Sequence, residues 1–292
     1  MGSCWVQDMA NSSGKRGHSA SSLVTGIIPN VPVVDPGPLT PGLVKSAGRA
    51  LEIFDFFDEV KREAQEQEIA RRLKYPQSST SMLLKCLVQL GYLDFEPKTR
   101  TFFPSPRIAL LGAWPDNGPV RDGRLIHMME ELANETRETV ILAARNGIYA
   151  HYIRVVQTRA STAFFVPQGS RRLAVWSATG FALLAQENDD AVRALCLRTN
   201  AEAPSGQPIV QLKTTRAHIQ QTRRNGYFFS KALVTEGAGA IAMPLPKGID
   251  RRNRPLAIGI SGPLEDFAGR ERRIVRQLRI TMDKYLGTWT GR

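Results

Sequence analysis

Apolar residues recur at spacings of three and four in three consecutive segments between residues 46 and 90, as on the buried face of an amphipathic helix. The first predicted helix begins near Ser46, a residue type that caps helix N-termini. The third follows Pro76, which a helix tolerates in its first turn, and ends at Gly91, which favours the left-handed conformation that closes a helix. The predicted buried faces comprise Ala50, Leu51, Phe54 and Phe57; Ile69, Ala70 and Leu73; and Leu83, Leu84, Leu87 and Leu90.

Two short apolar and aromatic stretches come next, YLDF and RTFF, separated by the proline-containing turn EPKT. Short stretches of this kind around a turn predict a β-hairpin. Three helices followed by a hairpin form the layout of a winged helix-turn-helix domain. We therefore expect such a domain over residues 43–112.

The rest of the chain alternates between helical and strand patterns. The segment GRLIHMMEELANETRE predicts a helix that links the two domains, assigned to residues 113–135. The segment TVILAARNGIYAHYIRVV predicts two strands joined at the turn dipeptide Asn146-Gly147. Further strands are predicted in GAIAMPL and RPLAIGISGP, and helices in WSATGFALLA, DDAVRALCLRT, TTRAHIQQTRRNG and DFAGRERRIVRQLRITMDKYL. The sequence thus predicts an α+β fold with a second domain over residues 136–292.

The N-terminal segment, residues 1–42, is rich in Ser, Gly and Pro. Too few apolar residues cluster there to offset the entropy of ordering the chain, so we expect a disordered tail. No apolar run approaches the roughly 20 residues that span a bilayer, and the N-terminus has no signal-peptide hydrophobic region. We therefore expect a cytoplasmic protein without membrane contact.

Residues that carry metal or catalytic chemistry form no recognisable motif. The three cysteines, Cys4, Cys86 and Cys196, are far apart, and the four histidines are equally scattered. The segment GAGAIA at residues 237–242 nominally fits a nucleotide-binding G-x-G-x-x-A motif. It leads into an apolar strand, whereas that motif requires a following helix. We expect no metal, no cofactor and no catalytic residue.

The net charge of +12 is unevenly distributed along the chain. Residues 43–110 hold 11 Lys and Arg against 9 Asp and Glu, whereas residues 111–292 hold 26 against 16. Positive charge is typical of proteins that bind nucleic acid, but here most of it lies outside the predicted DNA-binding domain. Three explanations of this surplus stay open: anionic ligands, long-range attraction to DNA, or solubility alone.

Four small hydroxyl residues stand at the start of the third predicted helix, opposite its leucines. Small side chains let a helix approach DNA closely, and their hydroxyls and the helix N-terminal amides can hydrogen-bond phosphates. Gln77 and Lys85 are long enough to reach base edges in the major groove, and the hairpin tip can contact the backbone or the narrow groove. A solvated helix face with capping serines is the alternative. The candidate DNA-binding residues are Gln77, Ser78, Ser79, Thr80, Ser81, Lys85, Lys98 and Arg100.

Several of these segments resemble, in the same order, those of IclR-type transcriptional regulators. The first part, from VKSAGRALEIFDFF to TRTFFPSPRIALLG, is similar to the winged helix of that family. In the second part the resemblance lies in GSRRLAVWSATGFALLA, QTRRNGY, GAIAMPL and AIGISGP. It covers residues 43 to about 286.

The resemblance implies that the second domain is a GAF-like α/β domain that binds a small organic effector, often a carboxylate. Amides at Thr179-Gly180, at the start of a predicted helix, would be free to hold that group. The family's motif positions imply the following effector-binding residues: Ala178, Thr179, Ser230, Ala240, Gly259 and Ser261. The neighbouring Arg171 and Arg172 are candidates for pairing with an effector carboxylate or with another subunit, or are merely exposed.

Departures from the family pattern bear on the effector. Ser230, Ala240 and Gly259 stand where members that bind small keto-acids carry Asp, Cys and Ser. Val175-Trp176 and Phe181 likewise replace His-Ala and Lys. These changes favour a larger, more apolar effector such as an aromatic or acyl acid. Alternatively, Trp176 and Phe181 only pack the helix onto the sheet.

The resemblance also implies a homodimer or homotetramer that pairs through residues 43–60 and reads a pseudo-palindromic operator in double-stranded DNA. The sequence therefore predicts a transcriptional regulator, not an enzyme, whose promoter binding is modulated by a small organic acid. Two alternatives stay open: a metabolite-binding enzyme of unknown reaction, and a winged-helix architectural protein without an effector.

Overall fold

The computed structural model describes residues 44–111, 119, 122–157, 166–203, 207–250 and 253–287. The tail expected at residues 1–42 lies outside the described residues. The helices are α1 (Lys45–Val60), α2 (Glu66–Leu73), α3 (Gln77–Gln89), α4 (Pro106–Leu111), α5 (Arg124–Thr136), α6 (Ala178–Leu184), α7 (Asp189–Glu202), α8 (Leu212–Asn225), α9 (Leu264–Phe267) and α10 (Glu271–Leu286). The strands are β1 (Ala64–Gln65), β2 (Leu93–Glu96), β3 (Thr101–Pro104), β4 (Thr139–Asn146), β5 (Tyr149–Val156), β6 (Arg171–Leu173), β7 (Phe228–Lys231), β8 (Ala238–Pro244) and β9 (Leu256–Pro263).

The first part of the chain folds as the predicted three helices and hairpin. Its core is formed by α1, α2, α3 and the hairpin, with Phe56 and Phe57 in edge-to-face contact at 5.3 Å between ring centres. Helix α3 ends as expected, because Gly91 adopts a positive φ of 75° and the Tyr92 N–H donates back to the Leu87 carbonyl.

Two of the predicted buried faces are partly wrong. In α1 the buried residues are Ile53, Phe56 and Phe57, while Leu51 is 66% exposed. The run IFDFF places apolar residues on adjacent positions, so helical spacing fits more than one face. In α3 Leu90 is 52% exposed, because it follows the last helical residue. The N-cap of α1 is Val44, without a side-chain hydrogen bond, and not Ser46.

The hairpin of β2 and β3, called the wing below, is anchored by a strand that the sequence pattern did not predict. The two-residue strand β1, directly before α2, pairs antiparallel with β3, so the sheet order is β1-β3-β2. Two side-chain hydrogen bonds reinforce this pairing: the Gln65 amide donates to the Thr99 carbonyl at 3.1 Å, and the Thr101 hydroxyl donates to Glu63 at 2.7 Å. A strand this short has no detectable hydrophobic period.

A six-stranded antiparallel sheet forms the centre of the second part, with the order β6-β5-β4-β9-β8-β7. Helices α5 and α10 pack on one face, and the 3₁₀ turn Ala174–Trp176 with α6, α7 and α8 packs on the other. The two faces carry separate apolar cores. Helix α5, expected to link the domains, begins at Arg124 and buries Leu125, Met129 and Leu132 in the second of these cores.

The predicted closing helix is interrupted. The short helix α9 ends at Phe267, and α10 begins at Glu271. Between them Gly269 adopts a φ of 72°, which a right-handed helix does not accommodate. The edge strands β6 and β7 were also not predicted from periodicity, since each is only three or four residues long.

Helix α1 contacts the second part of the same chain through two carboxylates. Arg154 on β5 donates a hydrogen bond from Nη1 to Asp58, and the Gln168 amide donates to Asp55 at 3.5 Å. Burial raises the pKa of Asp55 above its ordinary 3.8. Burial also acts to raise the pKa of Asp58, but hydrogen bonds and charges from Lys61 and Arg154 outweigh it and the pKa is lowered.

His218 of α8 lies in a cluster of three rings under the sheet. Its ring centre is 4.9 Å from that of Phe181 and 5.2 Å from that of Phe228, and the two phenylalanine rings are 4.7 Å apart. Burial among these rings lowers the pKa of His218 below its ordinary 6.5, because the imidazolium would lose its hydration.

We expect this histidine to make stability pH-dependent. Since its folded-state pKa is depressed, its contribution is fully present above about pH 6.5 and is lost as the pH falls toward the folded pKa. His218→Phe keeps a ring in the cluster but does not titrate. Between pH 7 and pH 5 the free energy of unfolding should therefore decrease less in the variant than in the wild type. The two decreases should differ by up to about 1.4 kcal/mol for each unit by which the pKa is depressed. Urea unfolding at both pH values measures this, and equal losses would contradict it.

Candidate effector pocket and DNA-binding surface

Helix α6 lies directly on the sheet and closes one side of a cavity. Its start is capped by Ser177, whose Oγ accepts a hydrogen bond from the Gly180 N–H at 3.1 Å. That amide is therefore not free for an effector, contrary to the sequence-based expectation. Gly180 is required by packing, since a Cβ there would lie 2.0 Å from the Ala174 carbonyl oxygen.

The cavity between α6 and the sheet has a volume of about 110 Å³. Much of its wall is apolar, from Ile141, Val166, Val234 and Ala242 among others. The structure brings all six residues that the family pattern indicated to this one cavity. They are Ala178, Thr179, Ser230, Ala240, Gly259 and Ser261.

Strand register explains why residues so distant in sequence meet here. Ser230 on β7 lies opposite Ala240 on β8, and Ala240 lies opposite Ser261 on β9. Gly259 in turn pairs with Ala242 on one side and Ile141 on the other. Residues directly opposite each other in antiparallel strands project to the same face, so these positions line one wall.

Two of the buried polar side chains that line the cavity, those of Thr179 and Arg172, bear on what it can bind. The Thr179 hydroxyl is buried and has no hydrogen-bond partner within the described residues. Arg172 is 7% exposed, and its Nη1 donates to the Arg171 carbonyl at 3.1 Å. Its guanidinium also lies 5.7 Å from the centre of the Tyr152 ring. Unsatisfied polar groups in a cavity are typical of a binding site.

Trp176 and Phe181 do not line this cavity. Both are buried, and Phe181 packs in the ring cluster with His218 and Phe228. Of the two interpretations left open by the sequence, the structure supports packing onto the sheet. The apolar character of the cavity comes instead from its alanines, valines and isoleucines.

A second, open groove of about 640 Å³ lies between α3 and the wing. Four of the eight candidate DNA-binding residues line it: Gln77, Ser81, Lys85 and Arg100. Ser78 and Lys98 are exposed outside it, and Ser79 is half-buried. Three glutamines that the sequence analysis did not assign to DNA also line it: Gln65, Gln67 and Gln89.

Thr80 is a correction to the predicted DNA-binding residues. Its side chain is fully buried in the domain, and its hydroxyl donates to the Pro76 carbonyl at 3.1 Å. A hydroxyl one turn into a helix commonly bonds the carbonyl four residues earlier. The Thr80 hydroxyl is therefore buried and already hydrogen-bonded within the domain, so it cannot reach a phosphate.

The two cations that line this groove, Lys85 and Arg100, and Lys98 outside it are available for an anionic partner. Within the described residues, Lys85, Lys98 and Arg100 form no ion pair. Two arginines of the same domain already have carboxylate partners: Arg62 forms an ion pair with Glu68, and Arg72 forms one with Glu59.

Within the part of the chain that the structure describes, no three His, Cys, Asp or Glu side chains lie close enough together to hold a metal ion. None of the described helices combines the length and apolarity needed to cross a membrane.

Comparison with protein families identifies both parts of the chain. Residues 46–97 match the family described as "IclR helix-turn-helix domain", and residues 124–285 match "Bacterial transcriptional regulator IclR C-terminal". The chain belongs to the IclR family. It is an IclR-family transcriptional regulator with a DNA-binding helix-turn-helix domain and a C-terminal effector domain.

Named relatives are similar over most of their length. The Pca regulon regulatory protein of Pseudomonas putida is 24% identical over 207 residues, 70% of each chain. The HTH-type transcriptional repressor AllR of Escherichia coli is 25% identical over 253 residues, 85% of this chain and 91% of AllR.

Solved IclR structures share the fold. The IclR homologue of Microbacterium hydrocarbonoxydans, solved in complex with 4-hydroxybenzoate, has a TM-score of 0.55 at 16% identity, covering 83% of this chain and 99% of its own. The IclR regulator of Alicyclobacillus acidocaldarius has a TM-score of 0.52 at 21% identity, covering 84% and 98%.

In this IclR-family cavity Thr179 and Gly259 are sterically coupled. A Cβ at residue 259 would lie 3.0 Å from the Thr179 Cγ2 methyl. We expect Gly259→Ser to lower the free energy of unfolding by roughly 1–3 kcal/mol through overpacking. Adding Thr179→Ser removes only that methyl and should recover most of the loss. A double-mutant cycle in urea, with Thr179→Ser alone as control, measures the coupling. Additive losses would contradict the contact.

Proposed function

We propose that this protein binds a pseudo-palindromic operator through α3 and the wing, and that a small organic acid in the α6 cavity changes its affinity for that DNA. The observation that carries the proposal is the cavity itself. It holds an unpartnered hydroxyl and a buried guanidinium among apolar walls, in the same chain as a helix-turn-helix domain.

The proposed DNA contacts follow from the groove beside α3. Gln77, Ser81 and Lys85 lie on the side of α3 that borders the groove, and Arg100 borders it from the wing. In this arrangement α3 enters the major groove, where Gln77 and Lys85 reach base edges and Ser81 bonds a phosphate. Ser78, Ser79 and Lys98 would add contacts to the DNA backbone.

The proposed effector is an aromatic or acyl acid. Ala240 and Gly259 offer no polar side chain, while Thr179, Ser230 and Ser261 supply hydroxyls. That a protein of the same fold was solved with 4-hydroxybenzoate supports an aromatic acid as the first ligand to try.

We further propose a cytoplasmic homodimer or homotetramer that pairs through α1. The outer side of α1 carries the exposed Leu51, with Val44 exposed just before the helix, so apolar surface is available there. A two-fold dimer presents two α3 helices to two half-sites. We propose no enzymatic reaction, in keeping with relatives that are named as transcriptional regulators.

Removing groove side chains should weaken operator binding. We expect Lys85→Ala to lower affinity by about 1–3 kcal/mol, or to reduce the slope of log affinity against log salt by about 1 if Lys85 contacts a phosphate. Ser81→Ala should cost about 1 kcal/mol, the value of one hydrogen bond. Fluorescence anisotropy with the protein's own upstream DNA, at several salt concentrations, measures both.

Two controls separate loss of contact from other effects. Lys213→Ala removes an equal charge from an exposed site on α8 and should leave the salt slope unchanged. Thr80→Val removes a buried hydroxyl and should affect stability more than DNA affinity. Unchanged affinity of both groove variants at every salt concentration would rule out α3 as the recognition helix.

Effector and DNA binding should be coupled in both directions. Saturating aromatic acid is expected to change operator affinity by about 5- to 150-fold, and the operator should change acid affinity by the same factor. The same anisotropy titrations with and without benzoate or 4-hydroxybenzoate measure this. An acid that binds the protein without altering DNA affinity would support an architectural role instead.

A further inference from the structure

We propose that Arg172 is the anion-binding residue of the cavity and that its guanidinium holds the carboxylate of the effector. The proposal rests on the effector function above. It adds the group that would select an acid over the corresponding neutral molecule.

The position of Arg172 in the sheet directs it to the cavity. On the edge strand β6 it lies opposite Ala150 of β5, which is fully buried in the core on the α6 side of the sheet. Its neighbour Arg171 lies opposite His151 and so projects to the other face. Accordingly Arg172 lines the cavity, whereas the Arg171 guanidinium lies 5.2 Å from the Tyr149 ring centre.

The Arg172 side chain is buried in the wall of the cavity. An arginine side chain stays protonated in proteins, and a buried charge is costly unless it is paired. Within the described residues Arg172 forms no salt bridge, and its hydrogen bond to the Arg171 carbonyl occupies only one of five N–H donors. The Tyr152 ring at 5.7 Å offers only a weak attraction. An anionic ligand would supply the missing partner.

The size of the cavity and an unpartnered hydroxyl in its wall indicate the kind of anion. The buried Thr179 hydroxyl lines the same cavity and has no partner within the described residues. The planar fork of a guanidinium matches a carboxylate through two parallel hydrogen bonds. The cavity, about 110 Å³, is on the scale of the roughly 150 Å³ cavity that binds benzene. Together these features fit a monocarboxylate with a single ring or a short acyl chain.

Matched acids and amides test the assignment. Benzoate, 4-hydroxybenzoate and hexanoate are titrated by calorimetry into the full-length protein, alongside benzamide, 4-hydroxybenzamide and hexanamide. The wild type should bind at least one acid tenfold or more tightly than its amide. Arg172→Met, which keeps a long apolar side chain, should weaken acid binding by 10- to 100-fold and bring the acid-to-amide ratio close to one.

Two further variants keep the result interpretable. Arg171→Met removes the same charge from the adjacent residue on the other face and should retain the wild-type ratio. Arg172→Lys keeps the charge but lacks the planar guanidinium. Its acid-to-amide ratio should lie between those of the wild type and Arg172→Met. If Arg172→Met fails to fold, the ratio of Arg172→Lys still tests whether Arg172 binds the carboxylate.

The outcomes separate this inference from the proposed function. If the wild type binds an acid, and the Arg172 variants bind it with the same acid-to-amide ratio, Arg172 is only structural and the inference is overturned while the effector pocket stands. If no acid binds the wild type at millimolar concentration, the proposed effector function fails, and the role of Arg172 fails with it.

Discussion

The close approach of α6 to the six-stranded sheet is the constraint on which the structure of the effector domain depends. The helix is buried along its whole length, and at Gly180 the preceding 3₁₀ turn leaves no space for even a single methyl group beside the Ala174 carbonyl. Farther along the contact, the Thr179 methyl occupies the space above Gly259. The cavity is the space that remains unfilled between α6 and the sheet. Its size and the positions of its polar groups are therefore determined by how these elements pack.

Much of the winged-helix part could be predicted from the sequence because its signals are local. Helical spacing, Pro76 before α3 and Gly91 after it act within one turn of the chain, and they gave the correct elements. The errors arose where tertiary packing decides between equally periodic faces. Leu51 and Leu90 are apolar and correctly spaced but exposed, while Thr80 is polar and fully buried.

The cavity could be predicted only through family resemblance, since its residues come from strands and helices up to 120 positions apart, from Ile141 to Ser261. No local pattern marks Ser230, Gly259 and Ser261 as neighbours, because strand register brings them together. Arg172 could be named as a candidate from its residue type, but its burial depends on which of two adjacent arginines faces inward. That choice is made by pairing of the short strand β6 with β5. Trp176 and Phe181, conspicuous in the sequence, belong to the packing of α6.

The pairing of β1 with β3 has a consequence for how this regulator can respond. Because β1 leads directly into α2, the wing is clamped to the helical bundle through backbone and side-chain bonds. These bonds restrict movement of Arg100 on the wing relative to Lys85 on α3, so we expect the winged-helix domain to move as one unit. In the proposed dimer, a signal that reaches this domain through α1 would therefore change the position of the domain relative to its partner copy, while the base-pair preference within each half-site would stay the same.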